Sequence, residues 1–349
     1  MQLKAIGLWL LSFILLGINS SIAHSDYPAT DDTDYKIQYP EQVQQLLLQI
    51  SPDEMWTNLG ILTDPIIFPD RANYHESGLR AAGWIQAELE TMIRNSNRDD
   101  IELYTVETKG FNWGHETNPF YSKQPSIVLK IGASSEPAIL IGAHFDTMGC
   151  NEEGCVNEDP LPGADDDGSG TVTVMEVART LLASDMYFKK PIYLVLYAAE
   201  EADLWGSQAV IDSFKEENIT VDAVMQLDMT GYAKDNDLTL YLESGDADSD
   251  HPWVDLELTY YLQQLITYYI GRPAVLGCGS GGSDHEAWYT FTEAKISRPL
   301  EGTHCDGTSR TNPYMHTPED TTDKLSLTHM TDYLKLAIVF VVELAEPIE

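Results

Sequence analysis

Basic residues are scarce in this chain: Lys and Arg number 20 against 56 Asp and Glu, a formal net charge of −36 over 349 residues. Nucleic-acid binding depends on Lys and Arg neutralising phosphates, so that class is excluded, and an anionic membrane surface is disfavoured for the same reason. The acidity is that of a soluble surface. Cysteine is equally sparse. Its four residues, Cys150, Cys155, Cys278 and Cys305, allow three pairings. Cys150 and Cys155 close a small acidic loop, so Cys150–Cys155 with Cys278–Cys305 is the expected pair of disulfides. There is no internal repeat, and no linker rich enough in Pro, Gly or Ser to split the chain. Apolar runs are short as well. The one at residues 5–18 follows the positive start Met1–Lys4 and precedes Ser21-Ile22-Ala23, a small-x-small cleavage pattern. It is too short to span a bilayer stably, and it predicts a secretory signal peptide over 1–23 with a secreted or periplasmic destination. The run 337–342, flanked by Asp332, Lys335 and Glu343, reads as a core-packed helix and not as a membrane span. Export makes the disulfides possible.

What is present is a globular composition, 43% hydrophobic, with enough length for one large α/β domain or two small ones. Residues 24–39 are acidic and poor in apolar side chains, as in a flexible N-terminus or short propeptide. Residues 40–349 read as one domain. Helices are expected over 41–50, 52–62 and 77–93, the last from Leu79, Ala82, Trp84, Ile85, Leu89 and Ile93 at helical spacing. Strands are expected over 102–107 and 126–131. Beyond them, apolar blocks of strand length alternate with helical patterns, which predicts a sheet covered on both faces.

The polar residues that carry chemistry stand where the apolar blocks stop. Residues 138–143 run into His144-Phe145-Asp146, 192–199 into Glu200-Glu201, and 224–227 into Asp228. Pro162-Gly163-Ala164 leads into Asp165-Asp166-Asp167-Gly168-Ser169-Gly170, and His316 follows far downstream. In open α/β sheets ligands bind beyond the carboxyl ends of the strands, so these groups converge. Two imidazoles with several carboxylates and no thiolate suit zinc with open positions. A two-metal hydrolase needs a carboxylate shared by both ions, further ligands for each, and an unligated base. Asp165, following the Pro-Gly-Ala corner, is the candidate for the shared group, with Asp166 and Asp167 as capping groups of the next helix. Side chains alternate along a strand, so of Glu200 and Glu201 one holds metal while the other faces the attacking water. Asp146, two residues beyond His144, lies on the same side to orient its ring.

These strings, together with Ser283-Asp284-His285 and His316-Thr317-Pro318-Glu319-Asp320-Thr321, resemble the secreted bacterial leucyl aminopeptidases, the co-catalytic dizinc aminopeptidases of peptidase clan MH. The resemblance runs from about Leu62 to the C-terminus. It implies an α/β fold, a three-layer α/β/α sandwich around a mixed, mostly parallel sheet. It also implies two zinc ions, with Asp165 bridging, His144 and Asp228 completing one site, Glu201 and His316 the other, and Glu200 as general base. Peptide or protein N-termini would be the substrates, in a monomer. The chain departs from the family at 278–283, where Gly282 stands at the second position of a local Cys pair and Ser280 replaces an aromatic, and in a longer loop before His316. Met229, Ser280, Leu300 and Met315 are the expected side-chain pocket, favouring a bulky apolar N-terminal residue, whereas Asp306 and the net acidity favour Lys or Arg. The free ammonium would meet Glu201 or Asp228. The competing readings are a glutaminyl cyclase-type zinc acyltransferase, a dizinc carboxypeptidase or deacylase, and a non-catalytic ectodomain of the same fold.

Overall fold

The computed structural model describes residues 35–108, 124–148, 160–244, 253–277, 282–302 and 309–348. Three helices come first: α1 (Pro40–Leu47), α2 (Pro52–Leu62) and α3 (Glu76–Asn95). Proline opens both α1 and α2, where its missing N–H has no helical partner to lose. Strands β1 (Ile101–Val106), β2 (Ser126–Ile131) and β3 (Ala138–His144) follow. Then come α4 (Gly170–Ala183), β4 (Tyr187–Phe188), β5 (Ile192–Tyr197), α5 (Trp205–Glu216), β6 (Val221–Gln226) and β7 (Leu240–Glu243). The chain continues through α6 (Leu256–Leu265), β8 (Ala274–Gly277), α7 (His285–Phe291), β9 (Lys295–Ser297), β10 (Pro299–Leu300), α8 (Leu327–Ala345) and β11 (Pro347–Ile348).

The main sheet has six strands in the order β1-β2-β5-β3-β6-β9. β1, β2 and β5 pair antiparallel, while β5, β3, β6 and β9 run parallel. The expected mixed sheet, parallel at its centre, is therefore present. Period-2 alternation sorts its side chains between two cores. Ile139, Ile141 and Ala143 of β3 with Ile192, Leu194 and Leu196 of β5 face the larger core, which α1–α4, α6 and α8 cover. Ala138, Leu140, Tyr193, Val195 and Tyr197 face the other, closed by Phe214 of α5 and Trp288 of α7. Because both faces are buried, the strands read as continuous apolar blocks.

The C-terminal run is a buried helix, α8, as its flanking charges predicted, and no helix among the described residues is long and apolar enough to cross a membrane. Docking of the chain starts earlier than the expected boundary at residue 40. The Tyr35 ring stacks on Tyr261 at 4.9 Å, and the backbone N–H groups of Gln38 and Tyr39 donate to the buried Glu343 carboxylate at 2.8 and 3.3 Å. The stretch 35–39 is thus packed onto α8 and α6, and only 24–34 of the expected flexible segment lies outside the described residues.

Register fixes where the chemistry falls. His144 is paired with Tyr197 and Gly142 with Gln226. The three central parallel strands therefore end level, and the residues just beyond them, Phe145-Asp146, Glu200-Glu201 and Asp228, share one rim of the sheet.

Candidate metal centre

Asp146 organises this rim. Its Oδ1 accepts the backbone N–H of Glu200 at 3.0 Å and its Oδ2 that of Glu201 at 3.3 Å. It so fixes the turn after β5 to the end of β3. His144 Nδ1 lies 3.2 Å from the Asp146 carbonyl oxygen and 3.5 Å from its Oδ1. A carbonyl only accepts, so Nδ1 carries a hydrogen and Nε2 is the nitrogen that faces the cluster. The ring is thus bonded by the Asp146 main-chain carbonyl, while the carboxylate expected to orient it bonds the Glu200 and Glu201 N–H groups.

Facing His144 Nε2 are Asp166 Oδ1 at 3.1 Å, Asp228 Oδ1 at 3.7 Å and Glu200 Oε2 at 4.0 Å. The other oxygen of Asp166, Oδ2, lies 2.9 Å from His316 Nε2, which is also 3.3 Å from Glu201 Oε1. His144, Asp166 and Asp228 thus form one three-ligand cluster, and Asp166, Glu201 and His316 a second. Asp166 belongs to both, one oxygen toward each imidazole.

This corrects the assignment of the shared carboxylate to Asp165. The Pro162-Gly163-Ala164 corner does turn the chain inward, with Gly163 at φ +51°. There an added Cβ would meet Asp166 O at 2.3 Å. The presented residue, however, comes one position later. Asp165 points away, and both its oxygens are occupied, Oδ1 by the N–H of Gly231 at 2.8 Å and Oδ2 by the Asn312 amide at 3.0 Å. The backbone leaves helical geometry at Asp166 and Asp167, which turns Asp166 toward the histidines. Asp167 is the cap expected of it: Oδ1 accepts Gly170 N–H at 2.8 Å and Oδ2 the N–H of His144 at 3.1 Å.

Electrostatics follow from packing these acids together. Burial alone would lower the His144 pKa, but Glu200, Asp146, Asp166 and Asp228 outweigh it and hold the ring well above its usual value. Hydrogen bonds to Asp166 and Glu201 push His316 up to about 10. Burial and the Asp166 charge raise Glu201 to about 7, and burial places Glu200 well above the ordinary carboxyl range. Asp166 is pulled below that range despite its burial, because both imidazoles bond it. A divalent cation in each cluster would supply the charge balance these groups otherwise draw from protonated histidine.

The donor set fits such ions. Each cluster offers one imidazole nitrogen and carboxylate oxygens, with no thiolate, leaving coordination positions open. Asp228 Oδ1 is buried and has no hydrogen-bond partner. Its companion Oδ2 takes the Arg298 guanidinium at 2.9 Å, so the free oxygen is turned to the cluster.

Of the expected pocket residues, Met229, next to Asp228, and Leu300 are buried, and Met315, next to His316, is 38% exposed. Ser280, Asp306, the four cysteines and the stretch 1–23 expected to be a signal peptide lie outside the described residues. Sequence reasoning missed Arg298, buried between Asp228 and Glu243. A lone Arg closing a strand in so acidic a chain was the available signal. It also set Asp166 aside as a cap.

The sequence profile of peptidase family M28 matches residues 126–341. Leucine aminopeptidase 1 of Coccidioides posadasii is 32% identical over 317 residues, 89% of this chain and 75% of that protein. The crystal structure of the LapA aminopeptidase of Legionella pneumophila superposes with a TM-score of 0.77 at 38% identity, over 93% of this chain and 77% of that one. LapB of the same organism gives 0.77 at 36% identity, over 90% and 77%.

Proposed function

The chain belongs to peptidase family M28, and from that premise we propose how its rim acts as the centre of a zinc aminopeptidase. The observation that carries the reading is the Asp166 carboxylate, with one oxygen 3.1 Å from His144 Nε2 and the other 2.9 Å from His316 Nε2. His144, Asp166 and Asp228 would hold one zinc ion, and Asp166, Glu201 and His316 would hold the second. When bound, the pair supplies Lewis acidity at the scissile carbonyl and at the attacking water. Glu200, held by Asp146 but outside both clusters, takes the proton from that water and returns it to the leaving amine. Glu201 or Asp228 meets the substrate ammonium. Met229, Leu300 and Met315 receive the first side chain. Apolar contacts discriminate by only about 1–3 kcal/mol per methylene, so the preference for Leu-like residues is broad.

Two complete clusters favour this reading over a single-zinc cyclase, and the segment from β6 to His316 shows no inserted domain of the carboxypeptidase kind among the described residues. The apolar run and small-residue pattern within 1–23 support a leader and export, and we read the protein as a monomer acting on peptides outside the cytoplasm. N-terminal sequencing of mature protein tests the cleavage. Hydrolysis of aminoacyl nitroanilides, abolished by chelator and restored by zinc, tests the activity; equal cleavage of N-acetylated substrates would refute it.

A further inference from the structure

Among the acids of the centre lies a cation that bonds none of them. Arg71 sits between α2 and α3, outside the stretch matched by the family profile, and its side chain is completely buried. Its Nε–H donates to the Phe145 carbonyl at 2.7 Å, its Nη2–H to the Gly163 carbonyl at 2.8 Å, and its Nη1–H to the Pro162 carbonyl and, at 3.5 Å, to that of Leu62. The residue is itself held in place. Its backbone N–H donates to Thr147 Oγ1 at 3.0 Å, and its carbonyl accepts the Gln124 amide at 3.1 Å.

The acceptors are what matter. Phe145 lies between His144 and Asp146, and Pro162-Gly163 form the corner that delivers Asp166. One guanidinium therefore ties the end of β3 to the turn that presents the shared carboxylate. Its planar fork can bond carbonyls of both segments only at one spacing and orientation. A buried charge normally finds a carboxylate partner or is very costly. Here burial lowers the pKa of Arg71, and the charges of Asp320, Asp167, Asp166 and Asp146 oppose that without direct contact. The fork is thus spent wholly on backbone geometry.

We propose that Arg71 is the positioning residue of the metal centre: by bonding Phe145, Pro162 and Gly163 it sets the distance between His144 and the carboxylate that both ions share. Lysine keeps the charge but places a single ammonium where four carbonyls wait, so Arg71→Lys separates charge from geometry.

The proposal rests on the paired-site reading above, and one titration tests both. Zinc binding is measured by chelator competition on folded wild type and on Arg71→Lys, alongside the visible spectrum of each protein loaded with Co²⁺. The expected result is two ions in wild type, and in Arg71→Lys an affinity at the His144 site lower by roughly 10–100-fold, as when a ligand's supporting partner is lost, with shifted cobalt bands. Two ions in wild type with the same affinity and spectrum in the variant would overturn the proposal alone, however much its melting temperature falls. Fewer than two in wild type would overturn the paired-site reading and this proposal with it. If Arg71→Lys does not fold, Thr147→Val, which removes only the hydroxyl that accepts the Arg71 N–H, is expected to weaken zinc in the same direction, and unchanged affinity there overturns the proposal.

Discussion

Replacing Asp165 and Asp166 in turn by asparagine separates two adjacent carboxylates that the sequence alone cannot tell apart. Asp166 lies within 3.1 Å of one imidazole and 2.9 Å of the other. Asp166→Asn therefore removes the shared negative charge from both sites and leaves a ligand oxygen for only one of them, and the loss should exceed the roughly 10–100-fold typical of a supporting residue. Asp165→Asn leaves all six ligand contacts in place. It converts one acceptor into a donor, set against either the Gly231 N–H or the Asn312 amide. One buried hydrogen bond is lost, about 1 kcal/mol of stability, a fall of a few degrees in melting temperature for a domain of this size. The assay is elemental analysis after gel filtration, with thermal unfolding of the same samples. Asp165→Asn should keep both ions and melt early; Asp166→Asn should emerge depleted of metal. Loss of metal from Asp165→Asn, with full loading of Asp166→Asn, would refute the geometry.

Glu200→Gln should lower turnover by about 10²–10⁴-fold, the usual contribution of a general base, yet bind metal, whereas Glu201→Gln should lose metal from the His316 site; metal loss from the first and not the second would reverse the two roles. Arg298→Met leaves Asp228 without its 2.9 Å partner, so zinc at the His144 site should weaken by roughly 10–100-fold in a chelator titration, and unchanged affinity would show that Arg298 does not orient the ligand. His329 is buried with its pKa lowered from 6.5 to about 4, burial being the leading cause. The folded ring stays neutral while the unfolded one takes a proton below pH 6.5, so this contribution is complete above that pH and is lost as pH falls to 4. By linkage it amounts to about 3 kcal/mol. Measured as wild type minus His329→Leu, so that acid loss of metal cancels, the difference in denaturant stability should fall by about 3 kcal/mol as pH drops from 6.5 to 4; a constant difference would contradict it.

Much of the site was legible because parallel strands buried on both faces announce themselves as apolar blocks, and the level ends of β3, β5 and β6 gather the polar residues that succeed them. His144, the Glu200-Glu201 pair and Asp228 stand out on that basis, whereas the assignment of His316, in a loop far downstream, and the choice of Glu201 over Glu200 came only from the family resemblance. The shared carboxylate was missed by one residue for a definite reason. Alternation predicts side-chain direction along a strand, but Asp165-Asp166-Asp167 lies in a turn. There the left-handed Gly163 and the non-helical backbone at Asp166 and Asp167 decide which carboxylate faces inward. No period in the sequence encodes that. Arg71 was invisible for another reason: the acceptors it holds at the centre, in Phe145, Pro162 and Gly163, are main-chain carbonyls 74 to 92 residues away, and carbonyls carry no sequence signal. Arg298 differs, since a basic residue at a strand end beside Asp228 could have been found by asking which cation balances the rim.

The central claim is that two ions share Asp166, and anomalous diffraction from crystals of the zinc-loaded protein, recorded on either side of the zinc edge, tests it most directly. The account predicts two peaks flanking the Asp166 carboxylate, one against His144 and Asp228 and the other against Glu201 and His316. A single peak, or a pair bridged by Asp165, would contradict it.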